Sequence, residues 1–396
     1  ALSPIQLPPN RLSDADSVRM PPPSFAVDGR RTEVSNPPMV DFLPAARQAF
    51  RAQLGLPPGS EPVSAPDAPE PLFAWARRHR LTGLMATFSP ATDAAPQTAA
   101  FGQAQHAARF THEAERLFAL LSPRLSALAL VKGPALAAQA WPQPGLRSFD
   151  DLDLICARQD YPHLLAGLRA AGYAPATDDP RRMEHLWHYG WGVAFRHPDG
   201  FLVEANHRFF PPHYPWPRRI RATGTTGFAP QPLDAAAVRA PTPALHLLLG
   251  CEHAIWHGWA RLAWIADLAG LLARHPDVFA QAMALARGCP FAERALTIGC
   301  AVADALFGPG LGPVGRMYPD VVAHAAARLG GQTRGMNANE LREFHERFMT
   351  PSEILAYRWR RTFTPGDGDF QRLSLPPALR ALYWVFRPAR GVRFGP

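Results

Sequence analysis

Lysine is nearly missing from this chain. Among 41 lysines and arginines in 396 residues, Lys132 is the single lysine. Arginine-, alanine- and proline-rich usage of this kind follows from a GC-rich genome, so scarcity alone gives Lys132 no role. Cysteine is sparse too. Cys156, Cys251, Cys289 and Cys300 have no C-x-x-C or other zinc-type spacing, which excludes a zinc ribbon and a disulfide-stapled scaffold and suits a reducing compartment. Long apolar runs are absent as well. The longest, "ALTIGCAVADALFG", contains Asp304 and falls short of a membrane span. No leader pattern is read at the start, so a cytoplasmic location is expected. Neither a P-loop nor a G-x-S-x-G string occurs, which argues against a P-loop NTPase and an α/β-hydrolase.

The remaining composition is that of a globular protein: 47% apolar, 19% charged, with 44 prolines and a net charge of +8. That balance suits anionic partners such as nucleotides, nucleic acid or acidic lipid. The charge is spread along the chain, with local basic spots at "YRWRR" (357–361) and "RPARGVRF" (387–394). There the arginines are expected to solvate helix faces whose aromatics are buried.

Residues 1–70 read as a proline-rich extended tail and linker containing one short helix at about 44–54. Apolar spacing of three and four predicts amphipathic helices over 71–88 and 97–125. "SALALV" and "DDLDLICA" read as strands, "DYPHLLAGLRAAGY" as a helix, and "WGVAFRH-PDG-FLVEANHRF" as a hairpin. Beyond residue 233 the pattern is almost wholly helical. The expected fold is therefore α+β, with a sheet domain and its N-terminal helices over 71–232 and a helical domain over 233–396.

Two chemical features stand out. Alternate strand residues share a face, so Asp151 and Asp153 point together while Leu152 and Leu154 point into the core. Glu204, between Val203 and Ala205, is an acid in a strand core that needs a partner or a cleft. Three convergent carboxylates suit hard divalent cations. Lys132 precedes Gly133 at a strand-to-helix turn, where backbone N–H groups and the helix dipole favour a phosphate. Further on, "CEHAIWHGWARLAWIADL" spaces His253, His257 and Arg261 four apart, and so along one face of a continuous helix. Read from the residues, this face either contacts nucleotide or acceptor, or His253, Trp264 and Asp267 form a satisfied core network. A zinc site on His253 and His257 with Asp267 or Cys251 is the weaker reading, because Cys251 lies on another side of the helix.

Together "LVKGPALAAQAW", "PGLRSFDDLDLIC" and "LLAGLRAAGY" resemble the uncharacterised nucleotidyltransferase family of the DNA polymerase β-like superfamily. The ordered pattern is K-G, then R-x-x-x-D-x-D, then a helix ending in Gly-Tyr. The likeness continues into "LVEANHRF" and "CEHAIWHGWARLAWIADLAGLL". It implies a polymerase β-like sheet domain flanked by helices. It also implies transfer of a nucleoside monophosphate from an NTP, with ATP as the expected donor, to a hydroxyl or phosphate acceptor, releasing pyrophosphate. By the resemblance Asp151, Asp153 and Glu204 are the catalytic, Mg²⁺- or Mn²⁺-binding acids. Lys132 and Gly133 occupy the phosphate-loop position. Arg147 matches the family arginine, either touching the triphosphate or pairing with Asp150 or Asp151. Asn206 and His207 depart from the family's usual histidine and tryptophan, and with His253, His257, Arg261 and Asp267 they are the expected nucleotide or acceptor contacts. The acceptor is expected to be a peptide, protein or small molecule, as for a tailoring enzyme, with nucleic acid less favoured. Two alternatives stay open: a non-catalytic nucleotide sensor or partner-neutralising module on the same fold, and transfer of a sugar or sugar phosphate from a nucleotide sugar.

Overall fold

The computed structural model describes residues 42–57, 69–87, 94–220, 226–308, 311, 318–329 and 336–391. The proline-rich tail and most of the linker lie outside this set. One mixed sheet runs in the order β1-β2-β5-β4-β3: the four expected strands β1 (Leu128–Val131), β2 (Leu152–Cys156), β4 (Gly192–Arg196) and β5 (Leu202–Asn206), with an unexpected two-residue edge strand β3 (Ala174–Pro175). β1 runs antiparallel to β2 and β4 antiparallel to β5, whereas β2 and β5 are parallel neighbours.

Strand parity divides the sheet into two chemically different faces. On one, Leu130, Leu152, Leu154, Val203, Ala205 and Phe195 are buried against Phe110, Leu117 and Leu121 of the helix Ala94–Leu121. Tyr161, Leu164 and Leu168 of the helix Tyr161–Ala170 complete that layer. Each such side chain contributes about 1.5–3 kcal/mol when fully buried. On the other face Ala129, Val131 and Ile155 join a second core. It is shared with the helices Pro243–Trp256, Leu262–Arg274 and Pro290–Phe307, and with Phe50 of the helix Leu43–Gln53. Asp153 and Glu204 interrupt this second face.

Three local expectations are corrected. The helix over 71–88 is split into Pro69–His79 and Thr82–Ala86 by Arg80, whose φ is 57°. Around residue 233 stands an unexpected strand pair, β6 (Phe228–Pro232) with β7 (Ala237–Pro241), which alternation broken by proline conceals. In the C-terminal helices Tyr357 is buried as expected, but Trp359 is 65% exposed.

Candidate active site

The strand register brings the acids together. Asp153 of β2 is directly opposite Glu204 of β5, and Val131 of β1 is opposite Asp153 on the other side. Lys132, the next residue, therefore projects over the acids, with its Nζ 3.8 Å from Asp153 Oδ2. Asp151 sits just before β2 and acts through space on the other two acids and on the lysine. Burial, reinforced by Asp151 and Glu204, pushes the Asp153 carboxyl well above the usual range despite Lys132. Glu204 is raised too, by burial first and by Asp151. For Lys132 burial works against the charge, but the field of Asp153, Glu204 and Asp151 outweighs it and holds the ammonium charged.

The lysine turn is strained. Lys132 has φ 60° and ψ −144°, a region that costs a non-glycine residue about 1–3 kcal/mol. Gly133 follows at φ 45° and opens the helix Gly133–Ala140. What holds the turn is His246, from the apolar run "ALHLLL". The Lys132 backbone N–H donates to His246 Nε2 at 3.1 Å, and His246 Nδ1 is 2.7 Å from Gln139 Oε1. Burial, with Arg147 and Lys132 nearby, lowers the His246 pKa to about 3. The ring is therefore neutral, its proton on Nδ1 and its Nε2 lone pair on the turn. Gln139 in turn donates to Gln231 and to the Pro241 carbonyl, tying β6 and β7 to the same turn. His246→Leu would strand a buried N–H and cost about 1–3 kcal/mol, measurable by chemical denaturation.

Arg147 pairs with neither Asp150 nor Asp151. Its Nε and Nη2 donate to the two carboxylate oxygens of Asp267 at 2.7 and 2.9 Å, and Trp141 Nε1 donates to the same carboxylate at 2.7 Å. Asp267 thus joins the end of the lysine-turn helix to the segment that enters β2. Gly270, one turn later, allows this contact, since a Cβ there would stand 2.1 Å from the Ala140 carbonyl oxygen. Asp150 is held instead by Arg80 at 2.7 Å.

The histidine segment is not one helix. Pro243–Trp256 ends at His257, Gly258 and Trp259 turn with φ near 58° and 59°, and Arg261 caps Leu262–Arg274. The turn nonetheless gathers its residues. His253 stacks edge-on to His257 at 4.5 Å and to Trp264 at 4.8 Å, and Arg261 lies over Trp264 at 5.4 Å. Burial, then Lys132, keeps both histidines neutral, lowering His257 to about 3 and His253 well below its usual value. Arg261 feels both Asp150 and Asp151, which places it on the acid side of the cluster. A small cavity of about 30 Å³ touches Lys132, Arg147, His246, His253 and Asp267. The zinc reading finds no third ligand: Asp267 is committed to Arg147, and Cys251 is buried against the helix Pro290–Phe307.

Asn206 and His207 part company. Asn206 shares the acid face, two residues beyond Glu204, and its Nδ2 donates to the Glu204 carbonyl at 3.2 Å. His207 turns to the opposite side, its ring 4.8 Å from Tyr161.

A lysine-bearing turn facing paired acids on parallel β2 and β5 is the arrangement the sequence motifs imply. Over residues 66–308 the chain matches the family model described as "Uncharacterised nucleotidyltransferase". The chain belongs to this nucleotidyltransferase family. No curated protein and no solved structure matches it. Membership of a nucleotidyltransferase family implies a nucleotide substrate. Among the described residues no helix is long and apolar enough to cross a membrane.

Among the described residues no three of His, Cys, Asp and Glu are gathered closely enough to hold a metal ion. The donor chemistry nonetheless fits. Asp153 and Glu204 face each other across β2 and β5, and burial, reinforced by the charge of Asp151, raises both carboxyls above their usual range, so added positive charge would favour the ionised pair. Carboxylate oxygens of this kind are the ligands hard cations take.

Proposed function

We propose that this protein transfers a nucleoside monophosphate from an NTP, with ATP the expected donor, to a hydroxyl or phosphate of a peptide, protein or small-molecule acceptor. The observation that carries the reading is the Lys132 ammonium held over the Asp153–Glu204 pair by a strained turn at a helix N-terminus. The facing Asp153–Glu204 pair would hold Mg²⁺ or Mn²⁺, with Asp151 drawn in from beside it to complete the set, and the ion would supply charge neutralisation and activate the acceptor oxygen.

The chain's own residues account for the rest. Lys132, as a compact point charge, neutralises the phosphates without the planar fork of an arginine. The backbone at Gly133, free of a side chain, lets a phosphate approach the helix N-terminus. Arg261 adds charge at the rim, and the neutral His253 and His257 offer a donor and an acceptor beside it. In the step itself the acceptor oxygen bonds to the α-phosphorus. The bond from that phosphorus to the bridging oxygen breaks, and pyrophosphate leaves with the electron pair. Glu204 takes the acceptor proton. Arg147 is a positioning residue through Asp267.

The test is pyrophosphate release from each NTP with Mg²⁺ or Mn²⁺, in wild type and in Lys132→Arg. The fork is expected to lower the rate by about tenfold or more, since Arg and Lys are not interchangeable at such a site. Full activity in Lys132→Arg would make the lone lysine a matter of codon usage. Nucleotide binding without turnover on any acceptor would favour the sensor reading.

A further inference from the structure

At the C-terminal ends of β2 and β5, beyond the acids, opens a second and larger cavity of about 510 Å³. Ile155 and Cys156 of β2 form part of its wall, with His207 and Arg208 after β5. Arg158, Arg218 and Arg360 also line it, so four arginines face one space, and its described lining includes no acid. Phe210 stacks on Tyr214 at 4.8 Å and tilts against Trp216 at 5.0 Å, which makes an aromatic wall.

Two guanidiniums are positioned by neutral groups. Arg158 lies over the Trp187 ring at 5.1 Å, and Arg208 Nη2 makes one long hydrogen bond, 3.5 Å, to the His188 carbonyl. Their charge is left for another partner, and Arg158 disfavours the charged state of Arg208 after burial does. His207 is the second, independent observation. It is only 6% exposed, and neither ring nitrogen has a hydrogen-bond partner. Burial and the two arginines lower its pKa to about 3. A neutral imidazole buried without partners is costly unless a ligand supplies them.

We propose that this pocket binds the acceptor of the transfer reaction, and that the acceptor is an anion carrying a phosphate or carboxylate on an aromatic or apolar body. The acid group meets Arg158 and Arg208, His207 hydrogen-bonds it, and the Phe210–Trp216 wall takes the body. Position supports the role. Ile155 is two residues from Asp153 on the same strand face, about 6–7 Å along the strand. Ligands of open sheets sit outside the carboxyl ends of parallel strands. The inference rests on the nucleotidyl-transfer reading.

The experiment titrates phenyl phosphate, benzoate and phenol into the full chain by calorimetry. Wild type is expected to bind phenyl phosphate or benzoate, and phenol far more weakly. Arg158→Gln/Arg208→Gln is expected to weaken the anion by about a hundredfold or more, the loss of two charge-assisted hydrogen bonds. Asp153→Asn is expected to bind the anion as wild type does, although its turnover is lost. Should the double variant melt early, the exposed Arg360→Gln replaces it and is expected to weaken binding by about threefold, one rim charge. No binding of either acid, binding unchanged in the arginine variants, or displacement of phenyl phosphate by ATP in Asp153→Asn overturns the acceptor pocket. If wild type releases no pyrophosphate yet binds the anion through these arginines, the transfer reading fails and the anion site stands.

Discussion

Asp267→Ala is expected to destabilise the protein by about 3–5 kcal/mol, the cost of leaving a buried ion pair with one partner. Arg147 and Asp267 are 7% and 3% exposed, and Trp141 loses its acceptor in the same change. The buried guanidinium then loses both of its hydrogen-bonded oxygens and keeps only the fields of Asp151 and Asp153. Asp267→Asn keeps an oxygen for Arg147 or Trp141 and should lose markedly less. Urea denaturation of the two variants separates them. An Asp267→Ala protein as stable as wild type would mean that the clamp does not hold the lysine-turn helix to β2.

Asp153→Asn is expected to lower nucleotidyl transfer by about a thousandfold, the upper range for removing one electrostatic stabiliser of a transition state. The fold should survive. Asp153 is one of three crowded carboxylates, and like charges brought together disfavour their own ionisation. Asparagine keeps the volume and removes a charge, so the melting temperature of Asp153→Asn is expected to equal or exceed that of wild type. Glu204→Gln should behave alike, because Glu204 faces Asp153 across β2 and β5. A variant that loses activity and stability together would make the acids structural.

Much of this site was legible in the sequence because it depends on parity and short spacing. Alternation alone separates Asp153 and Glu204 from Leu152, Leu154, Val203 and Ala205, and the register carries that through. The lysine turn was legible as well, since a strand, Lys132-Gly133 and a helix follow in order. Its supports were not. His246 reaches Lys132 across 114 residues and Asp267 reaches Arg147 across 120. A histidine in an apolar helix and an aspartate in another carry no sign of which distant group they serve. The helix break at 257–261 escaped for a different reason. Helical spacing continues through it, while Trp259 adopts a positive φ that only tertiary burial enforces. The arginine pocket draws on β2, on the segment after β5 and on the helix Pro351–Phe363, so no single stretch announces it.

The central claim is that the Lys132–Asp153–Glu204 face transfers a nucleotidyl group. The direct measurement supplies the full chain and Mg²⁺ or Mn²⁺ with NTP radiolabelled at either the α- or the γ-phosphate, and follows each label over a panel of acidic acceptors. The α-label is expected to move to the acceptor while the γ-label leaves in pyrophosphate, and Asp153→Asn is expected to stop both. A γ-label on the acceptor, or transfer unaffected by Asp153→Asn, would contradict it.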